Sequence, residues 1–176
     1  MPMDKIPETR TRLHHAAYVT RDQESTRKFY EDVIGFPLIA AWAETETLMG
    51  AERSYCHTFF DIGGGECLAF FQFVREEDKP EINAGVPGMH HIALKCDADT
   101  QAGIYGRLKA AGFSDTQLFE HGYCRSLYVT DPNGLIVEFT VDHPDIESII
   151  KKRRATAHED LKRWLGGDHT PNNLLR

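Results

Sequence analysis

Residues 13–17 read Leu-His-His-Ala-Ala, and residues 89–93 repeat the pattern as Met-His-His-Ile-Ala. Each copy opens an alternating stretch that predicts a β-strand, and an amphipathic helix pattern follows it. Gly35 ends the first helix pattern and Gly112 ends the second, as glycines after helices commonly do. The two glycines stand 20 residues after His15 and 21 residues after His91. This agreement predicts a chain built from two repeated halves.

Each half continues with three more segments whose composition and flanking turns indicate strands. The expected strands cover about residues 37–43, 56–62 and 67–74 in the first half and 116–120, 126–130 and 135–141 in the second. Each half is therefore predicted to have the order β-α-β-β-β, which makes the fold class α+β. Residues 44–54 have no counterpart in the second half, and we expect an insertion there with a short helix or loop.

The repeat also sets the expected domain boundaries. We predict one domain over residues 11–142, with modules at about residues 11–75 and 87–142. Residues 143–176 show apolar positions at helical spacing and are predicted to form a helical C-terminal tail.

Composition excludes several classes of protein. The 176 residues carry 20 Lys and Arg against 27 Asp and Glu, a formal net charge of −7. A general nucleic-acid binder is disfavoured because phosphate contacts need basic surface. No apolar run approaches the roughly 20 residues that a membrane helix needs, and no signal-peptide pattern opens the sequence. We therefore expect a cytoplasmic protein with reduced cysteines that binds a small molecule, and the acidic charge and amphipathic tail are compatible with a homodimer.

Three side chains are candidates for holding a metal ion. His15 and His91 open the first strand of each half, and Glu138 lies in an otherwise apolar strand after an Asp-Pro-Asn-Gly turn. A carboxylate in such a strand needs a partner if it points inward. Two histidines and one carboxylate suit non-haem Fe(II), with Mn(II) as a second choice. The alternative is that each histidine is an ordinary core or surface residue, and His14 and His90 adjoin the two candidates.

The Phe-Tyr pair at residues 29–30 and the Ile-Gly-Phe of residues 34–36 resemble a helix end of the vicinal oxygen chelate superfamily. That superfamily includes glyoxalase I, methylmalonyl-CoA epimerase, bleomycin resistance proteins and the type I extradiol dioxygenases. The resemblance covers about residues 13–142. It implies two paired βαβββ modules whose sheets form a half-open mixed barrel around a divalent metal. It also favours His15 and His91 over their histidine neighbours.

The number of carboxylate ligands distinguishes between members of this superfamily. Glyoxalase I uses a carboxylate from both modules. Matching the turn at Gly65 to the turn at Gly134 puts Ala69 or Phe70 opposite Glu138, and neither can bind a metal. The resemblance therefore implies three protein ligands, which is the arrangement of the extradiol dioxygenases.

Residues 121–138 carry the most specific motif in the chain. His121, Tyr128, the Asp-Pro-Asn-Gly turn and Glu138 together look very like the signature of type I extradiol dioxygenases. One position departs, because Phe119 stands where a small or β-branched residue is usual. The resemblance implies that Tyr128 hydrogen-bonds a metal-bound substrate hydroxyl, that His121 orients the substrate, and that O2 is the second substrate.

The acid–base residue is the main departure from that signature. Extradiol dioxygenases usually have a histidine just before a Leu-Ala-Phe-like stretch, where this chain has Glu66 and Cys67. Glu66 itself and His57 are the alternatives. Turn matching makes Phe59 the counterpart of Tyr128, and His57, two residues away, shares the face of Phe59. An apolar pocket is expected around five aromatic side chains, namely Trp42, Phe59, Phe70, Phe73 and Phe139.

The favoured prediction is an Fe(II)-dependent, extradiol-type dioxygenase for a catechol-like or other small aromatic or enediol substrate. A second hypothesis is a metal-dependent lyase or isomerase of the glyoxalase or epimerase type, with Glu66 or His57 as base. A third is a non-catalytic small-molecule binding protein of the same fold. The third is disfavoured because His15, His91 and Glu138 together supply a metal-binding set.

Overall fold

The computed structural model describes residues 13–48, 51–78, 91–168, 170–173 and 175. The chain divides into two compact units, residues 1–82 (unit 1) and residues 83–176 (unit 2). Each unit contains one four-stranded mixed sheet, and the described residues also form three α-helices. The α+β class and the β-α-β-β-β order of each half are therefore confirmed.

Unit 1 holds sheet 1, whose strand order is β1-β4-β3-β2. Strand β1 is parallel to β4, and the other neighbours are antiparallel. Helix α1 continues directly into a π-helical stretch. The elements are β1 (His15–Val19), α1 (Gln23–Arg27), the π-helical stretch (Lys28–Ile34), β2 (Leu38–Leu48), β3 (Ala51–Asp61), β4 (Cys67–Phe73) and a 3-10 turn (Glu76–Asp78).

Unit 2 repeats this topology in sheet 2, whose strand order is β5-β8-β7-β6. Its first strand is again parallel to its last, and a further helix follows the sheet. The elements are β5 (His91–Lys95), α2 (Ala98–Ala110), β6 (Gln117–Glu120), β7 (Cys124–Thr130), β8 (Ile136–Asp142) and α3 (Ile146–Leu165). Within the described part of the chain, no helix is long and apolar enough to span a membrane.

Residues 44–54 have no counterpart in the shorter ladder of unit 2, as expected, but the short helix or loop expected there is wrong. Strands β2 and β3 run through this region as one long hairpin, in which Thr47 pairs with Glu52 and Leu48 with Ala51. The hydroxyls of Thr45 and Ser54 meet across the pair at 2.8 Å. Polar side chains on both faces hid the strands, because the main-chain ladder forms without an apolar face.

Capping sets the start and end of the first helix in each unit. The Asp22 carboxylate accepts from the Glu24 amide at 3.0 Å, and the Asp97 carboxylate accepts from the Thr100 amide at 2.7 Å. Such caps satisfy amides that have no partner inside the helix. Gly35 closes the first helical segment with a φ of 96°, a left-handed conformation that favours glycine. The predicted helix limits are confirmed to within a residue or two.

The core of each unit lies between its sheet and its first helix. In unit 1, Tyr30 is fully buried and its ring lies 4.9 Å from that of Phe70 and 5.6 Å from that of Phe60. In unit 2, Leu108 and Phe139 are buried in the same way. Phe70 and Phe139 therefore face the helices, and their expected place in a substrate pocket is wrong. Strand alternation explains the error, since each lies one residue from the far-facing position.

A glutamine in the first helix of each unit ties that helix to its sheet. The Gln23 amide donates to the main-chain oxygens of Cys56 at 3.2 Å and Phe70 at 3.0 Å. The Gln101 amide donates to the main-chain oxygens of Arg125 at 3.0 Å and Phe139 at 2.7 Å. The two glutamines thus satisfy matching carbonyl groups on the last two strands of each sheet.

Candidate active site

The two sheets share one register, which identifies equivalent positions. In sheet 2, Glu138 pairs with Ala93 on one side and with Tyr128 on the other. In sheet 1, Ala69 pairs with Ala17 on one side and with Phe59 on the other. Ala69 is therefore the counterpart of Glu138, and Phe59 is the counterpart of Tyr128, as the matched turns predicted. We call the face of each sheet that points away from its own helix the far face, and all these side chains lie on it.

His91 and Glu138 form a close pair on the far face of sheet 2. His91 Nε2 lies 2.8 Å from Glu138 Oε2, and the side chain of Glu138 is only 8% exposed against 35% for His91. Two atoms that bind one ion at adjacent octahedral positions, each about 2.1 Å from it, lie about 3 Å apart. The imidazole nitrogen and the carboxylate oxygen therefore fit neighbouring positions on one divalent cation.

Tyr128 lies beside Glu138 and contacts His121. Tyr128 Oη is 3.1 Å from His121 Nε2. Burial raises the pKa of the Tyr128 phenol, and hydrogen bonding to Glu138 and the charge of that carboxylate raise it further, while Ser126 acts in the opposite direction. The phenol therefore keeps its proton at neutral pH.

The ring of His121 is flanked by two aromatic rings in a stacked orientation. The ring of Phe119 lies 6.3 Å away between centroids, and that of Tyr123 lies 5.9 Å away. Phe119, the residue that departs from the expected motif, also meets Tyr128 edge to face at 5.8 Å. The departure therefore adds an aromatic contact to the pair of His121 and Tyr128.

His15 begins β1 on the far face of sheet 1. Its Nδ1 lies 2.7 Å from Nδ1 of His14, so the two neighbouring rings contact each other. His14 lies immediately before β1, and its main-chain oxygen accepts from the Cys67 amide at 3.1 Å. The ring contact leaves Nε2 of His15 as the nitrogen suited to a metal. His90, the corresponding neighbour of His91, lies outside the described residues.

His57 lies on the same face of sheet 1, among aromatic rings. It stacks on Phe71 at 3.6 Å between centroids with an interplanar angle of 17°, and Phe59 lies 4.3 Å away. Within residues 13–48 and 51–78, its buried Nε2 has no hydrogen-bond partner. Burial lowers the pKa of His57, the nearby His15 lowers it further, and Glu44 opposes both. His57 is therefore neutral at pH 7, with a ring nitrogen that is not engaged by the chain around it.

Glu66 lies outside the strands, unlike His57. It precedes β4, where its main-chain oxygen accepts from Ile62 at 3.0 Å. Of the two candidate bases in unit 1, His57 is the one that lies within a strand, on the far face that carries His15.

Two of the expected pocket residues do lie on the far face of sheet 1 together with Phe59. Trp42 pairs with His57 and is 58% exposed. Phe73 pairs with Tyr55, and their rings meet at 5.9 Å. Phe71 was missed by the sequence analysis, although its two-residue spacing from Ala69 places it on the same face.

The metal-ligand candidates divide between the units. In neither unit do the described side chains gather three His, Cys, Asp or Glu residues into a ready-made cation site. Unit 2 supplies the pair His91 and Glu138, and unit 1 contains His15. All four cysteines are free, and Cys67, the strand partner of His15, is buried.

Comparison with known proteins identifies relatives of this chain. The sequence profile of the Glyoxalase/Bleomycin resistance protein/Dioxygenase superfamily matches residues 12–139. MhqA of Bacillus subtilis (strain 168), named as a ring-cleaving dioxygenase, is 29% identical over 85 residues, which make up 48% of this chain and 27% of that protein. Biphenyl-2,3-diol 1,2-dioxygenase 2 of Rhodococcus globerulus is 37% identical over 62 residues, 35% of this chain and 33% of that protein. The match thus spans about a quarter to a third of the length of these curated relatives.

Solved structures share the fold at low sequence identity. A variant of the fosfomycin resistance protein FosX from Listeria monocytogenes, complexed with Mn(II) and 1S,2S-dihydroxypropylphosphonic acid, aligns with a TM-score of 0.58 and 17% identity, covering 78% of this chain and 97% of that one. Lactoylglutathione lyase from Agrobacterium tumefaciens aligns with a TM-score of 0.50 and 21% identity, covering 76% of this chain and 96% of that one. At these identities the likeness is one of fold.

Proposed function

The chain belongs to the glyoxalase/bleomycin resistance protein/dioxygenase superfamily, and on that premise we propose that it is an Fe(II)-dependent, extradiol-type dioxygenase. Its substrates would be O2 and a catechol-like diol or another small aromatic or enediol compound. The observation that carries the proposal is the line of contacts on the far face of sheet 2. Glu138 lies between His91 at 2.8 Å and its strand partner Tyr128, which in turn contacts His121 at 3.1 Å.

We assign the metal to His91 and Glu138 of unit 2, and His15 stays the sequence prediction for the third ligand. A set of two imidazoles and one carboxylate leaves open positions and suits non-haem Fe(II). Mn(II) accepts the same donors, and the FosX variant that shares this fold contains Mn(II). When bound, the cation would lower the pKa of a coordinated diol hydroxyl. The 8% exposure of the Glu138 side chain supports the assignment, because a buried carboxylate needs a cationic partner.

Tyr128 and His121 would bind and orient the diol. The Tyr128 phenol is protonated at neutral pH and can donate a hydrogen bond to a substrate hydroxyl or to the oxyanion that it leaves. His121 Nε2 holds the phenol oxygen at 3.1 Å and so fixes the direction of that bond. An oriented donor next to developing negative charge is the usual form of electrostatic assistance in enzymes.

We propose His57 as the general base, in preference to Glu66. Its Nε2 has no partner among the described residues of unit 1, so the nitrogen is free to accept the second diol proton. The nitrogen is buried, and the His57 ring lies 4.3 Å from that of Phe59 and 3.6 Å from that of Phe71, measured between centroids. These rings, together with Phe73, offer flat apolar surface for an aromatic ring, which supports a catechol-like substrate over an aliphatic one.

The test is oxygen uptake with defined metal loading. The protein is prepared without oxygen, loaded with Fe(II), Mn(II) or Zn(II), and assayed on an oxygen electrode with catechol, 4-methylcatechol and biphenyl-2,3-diol. We expect uptake with at least one diol only when Fe(II) or Mn(II) is bound, together with a yellow ring-opened product. His91→Ala should abolish this uptake because it removes a proposed metal ligand. His158→Ala, which changes an exposed histidine on α3, is the control. A fully loaded protein that is inactive on the whole diol panel would contradict the proposal.

The second candidate is a metal-dependent lyase or isomerase that uses Glu66 or His57 as base. The absence of a histidine at residues 66 and 67, where the extradiol signature usually has one, favours it. Such an enzyme would turn over its substrate without oxygen and with Ni(II), Co(II) or Zn(II). A binding protein without catalysis would hold its ligand with the metal removed, so the same metal series separates all three.

A further inference from the structure

A short segment after helix α3 contacts the loop that carries His121. This segment comprises residues 170–173 and 175, and we call it the post-helical segment. The side-chain amide of Asn173 donates to the main-chain oxygen of His121 at 3.0 Å. The Asn173 side-chain oxygen in turn accepts from the main-chain amide of Leu175 at 3.2 Å. Both ends of the Asn173 amide are therefore engaged, one of them by the His121 loop.

Close packing at Gly122 marks the same contact independently. Gly122 has a φ of +83°, and a Cβ built on it would lie 2.5 Å from the carbonyl carbon of Leu175 and 2.8 Å from its Cβ. Only glycine allows the post-helical segment to approach this closely. Arg153 of α3 donates to the main-chain oxygen of Asn172 at 2.5 Å, which ties the segment back to the helix.

The contact reaches the proposed diol site through one residue. His121 uses its main-chain oxygen for Asn173 and its ring nitrogen for Tyr128. Its main-chain amide donates to the main-chain oxygen of Cys124 at 2.9 Å, so the loop is also held to the start of β7. A shift of the main chain at His121 would carry the ring away from the Tyr128 phenol.

We infer that Asn173 is a positioning residue for the diol site, because its amide fixes the main chain of His121 and thereby the direction of the Tyr128 hydroxyl. The inference rests on the proposed function, which gives Tyr128 and His121 their roles. Asn173 touches no reacting group, so its effect must pass through His121.

The chain provides a matched pair of variants for the test. Asn173→Asp keeps the shape of the side chain but removes the donor to His121, and Asn173→Ala removes the whole group. Asn172→Ala is the control, because Asn172 meets Arg153 through its main-chain oxygen and loses nothing there. Gly122→Ala is an orthogonal variant that pushes the post-helical segment away without altering Asn173.

The first readout does not depend on activity. Amide hydrogen exchange at His121 and the ring resonances of His121 are measured by NMR. We expect Asn173→Asp, Asn173→Ala and Gly122→Ala to speed exchange about fivefold, as loss of one hydrogen bond would, and to shift the ring resonances. Asn172→Ala should do neither. Exchange rates and ring resonances that are the same in all four variants and the wild type would overturn the inference.

The second readout is the division between kcat and KM for the best diol of the Fe(II)-loaded protein. Asn173→Asp should lower kcat about three- to tenfold with KM unchanged, because a misdirected donor affects the transition state more than diol binding. A rise in KM alone, with kcat intact, would overturn the inference. If the wild type turns over no diol, the proposed function fails, while the exchange and resonance data still decide whether Asn173 positions His121.

Discussion

Equivalent rows on the far faces of the two sheets carry different chemistry. The central row of unit 1 reads Ala17, Ala69 and Phe59, whereas that of unit 2 reads Ala93, Glu138 and Tyr128. The next row shows the same contrast. It contains Phe71, His57 and Trp42 in unit 1 against Thr140, Ser126 and Phe119 in unit 2.

For the ring-cleaving dioxygenase proposed above, this difference would separate two tasks. Unit 2 offers a carboxylate, a phenol and two imidazoles, which are groups that hold a cation and direct protons. Unit 1 offers stacked rings around His57, which suit the flat face of a substrate. Within these two rows the equivalent residues pair in the same way, so the contrast comes from their side chains.

The largest expected effect comes from breaking the ligand pair of unit 2. His91→Ala should weaken Fe(II) or Mn(II) binding at least about 100-fold, because removing a ligand costs no less than removing its supporting partner. Metal content after gel filtration measures this loss. The control is His143→Ala, whose ring accepts from the Asp145 amide. One tightly held ion per chain in His91→Ala would show that unit 2 is not the metal-binding half.

The next effect concerns the phenol that unit 1 lacks. Tyr128→Phe should lower kcat about 100- to 10,000-fold, the usual range for a lost acid–base or oriented donor group. Metal content should stay the same, since Tyr128 is not a proposed ligand. Phe59→Tyr places a hydroxyl at the equivalent position of unit 1. The double variant Tyr128→Phe/Phe59→Tyr should be as inactive as Tyr128→Phe alone. Restoration would mean that the two rows are interchangeable.

Substitutions of Gln23 and Gln101 test whether the two helix-to-sheet ties contribute equally to the free energy of unfolding. Gln101→Leu removes the partner of two carbonyls and of the Arg125 side chain, which donates to Gln101 at 2.9 Å. We expect the free energy of unfolding to fall by about 1 to 3 kcal/mol. Gln23→Leu should cost less, because Gln23 is only partly buried. Urea titrations of both variants measure the difference, and a larger loss for Gln23→Leu would reverse the order.

The aromatic row of unit 1 should influence binding more than catalysis. Phe71→Leu removes the ring that stacks on His57 at 3.6 Å. We expect KM for an aromatic diol to rise about two- to tenfold, the value of one aromatic contact, with kcat nearly unchanged. Phe70→Leu is the matched control one residue away, on the helix side. It should lower stability by about 1 to 2 kcal/mol and leave KM intact.

The smallest effect lies in the helix caps, where the two units are alike. Hydrogen bonding to Ser25 lowers the pKa of Asp22, and the amide of Thr100 lowers that of Asp97. A carboxyl whose folded-state pKa lies below its unfolded value stabilises the fold above that unfolded value, and the contribution is lost as pH falls through the folded pKa. Asp97→Asn keeps a capping oxygen and should therefore flatten the loss of stability below about pH 4. Thermal melts across that range check it, and an unchanged acid profile would contradict the cap assignment.

Much of the fold could be predicted because the same pattern of strand and helix recurs in both halves of the sequence. The repeated histidine pairs mark the first strand of each half, and Gly35 and Gly112 mark the ends of the helices. The hairpin across residues 44–54 could not be predicted, because its stability comes from main-chain pairing and its side chains carry no one-sided apolar pattern. The correspondence between strand residues of the two sheets could be predicted from the turns, because side chains alternate with a period of two residues.

The candidate site was only partly accessible from sequence. Equivalence of Phe59 with Tyr128 followed from turn matching, and the structure confirms it. The turns did not predict that Phe139 faces the helix, because an error of one residue in the register moves a side chain to the opposite face of the sheet. The contact between Asn173 and His121 has no local signal at all, since it joins residues that are distant in the chain and polar in composition.

The glutamine ties have a mechanical consequence. Because Gln101 clasps carbonyls on β7 and β8 together, α2 cannot slide along its sheet without losing two hydrogen bonds at once. Gln23 restrains α1 in the same manner. The slowest-exchanging amides of each unit should therefore lie on the strands that these glutamines hold together.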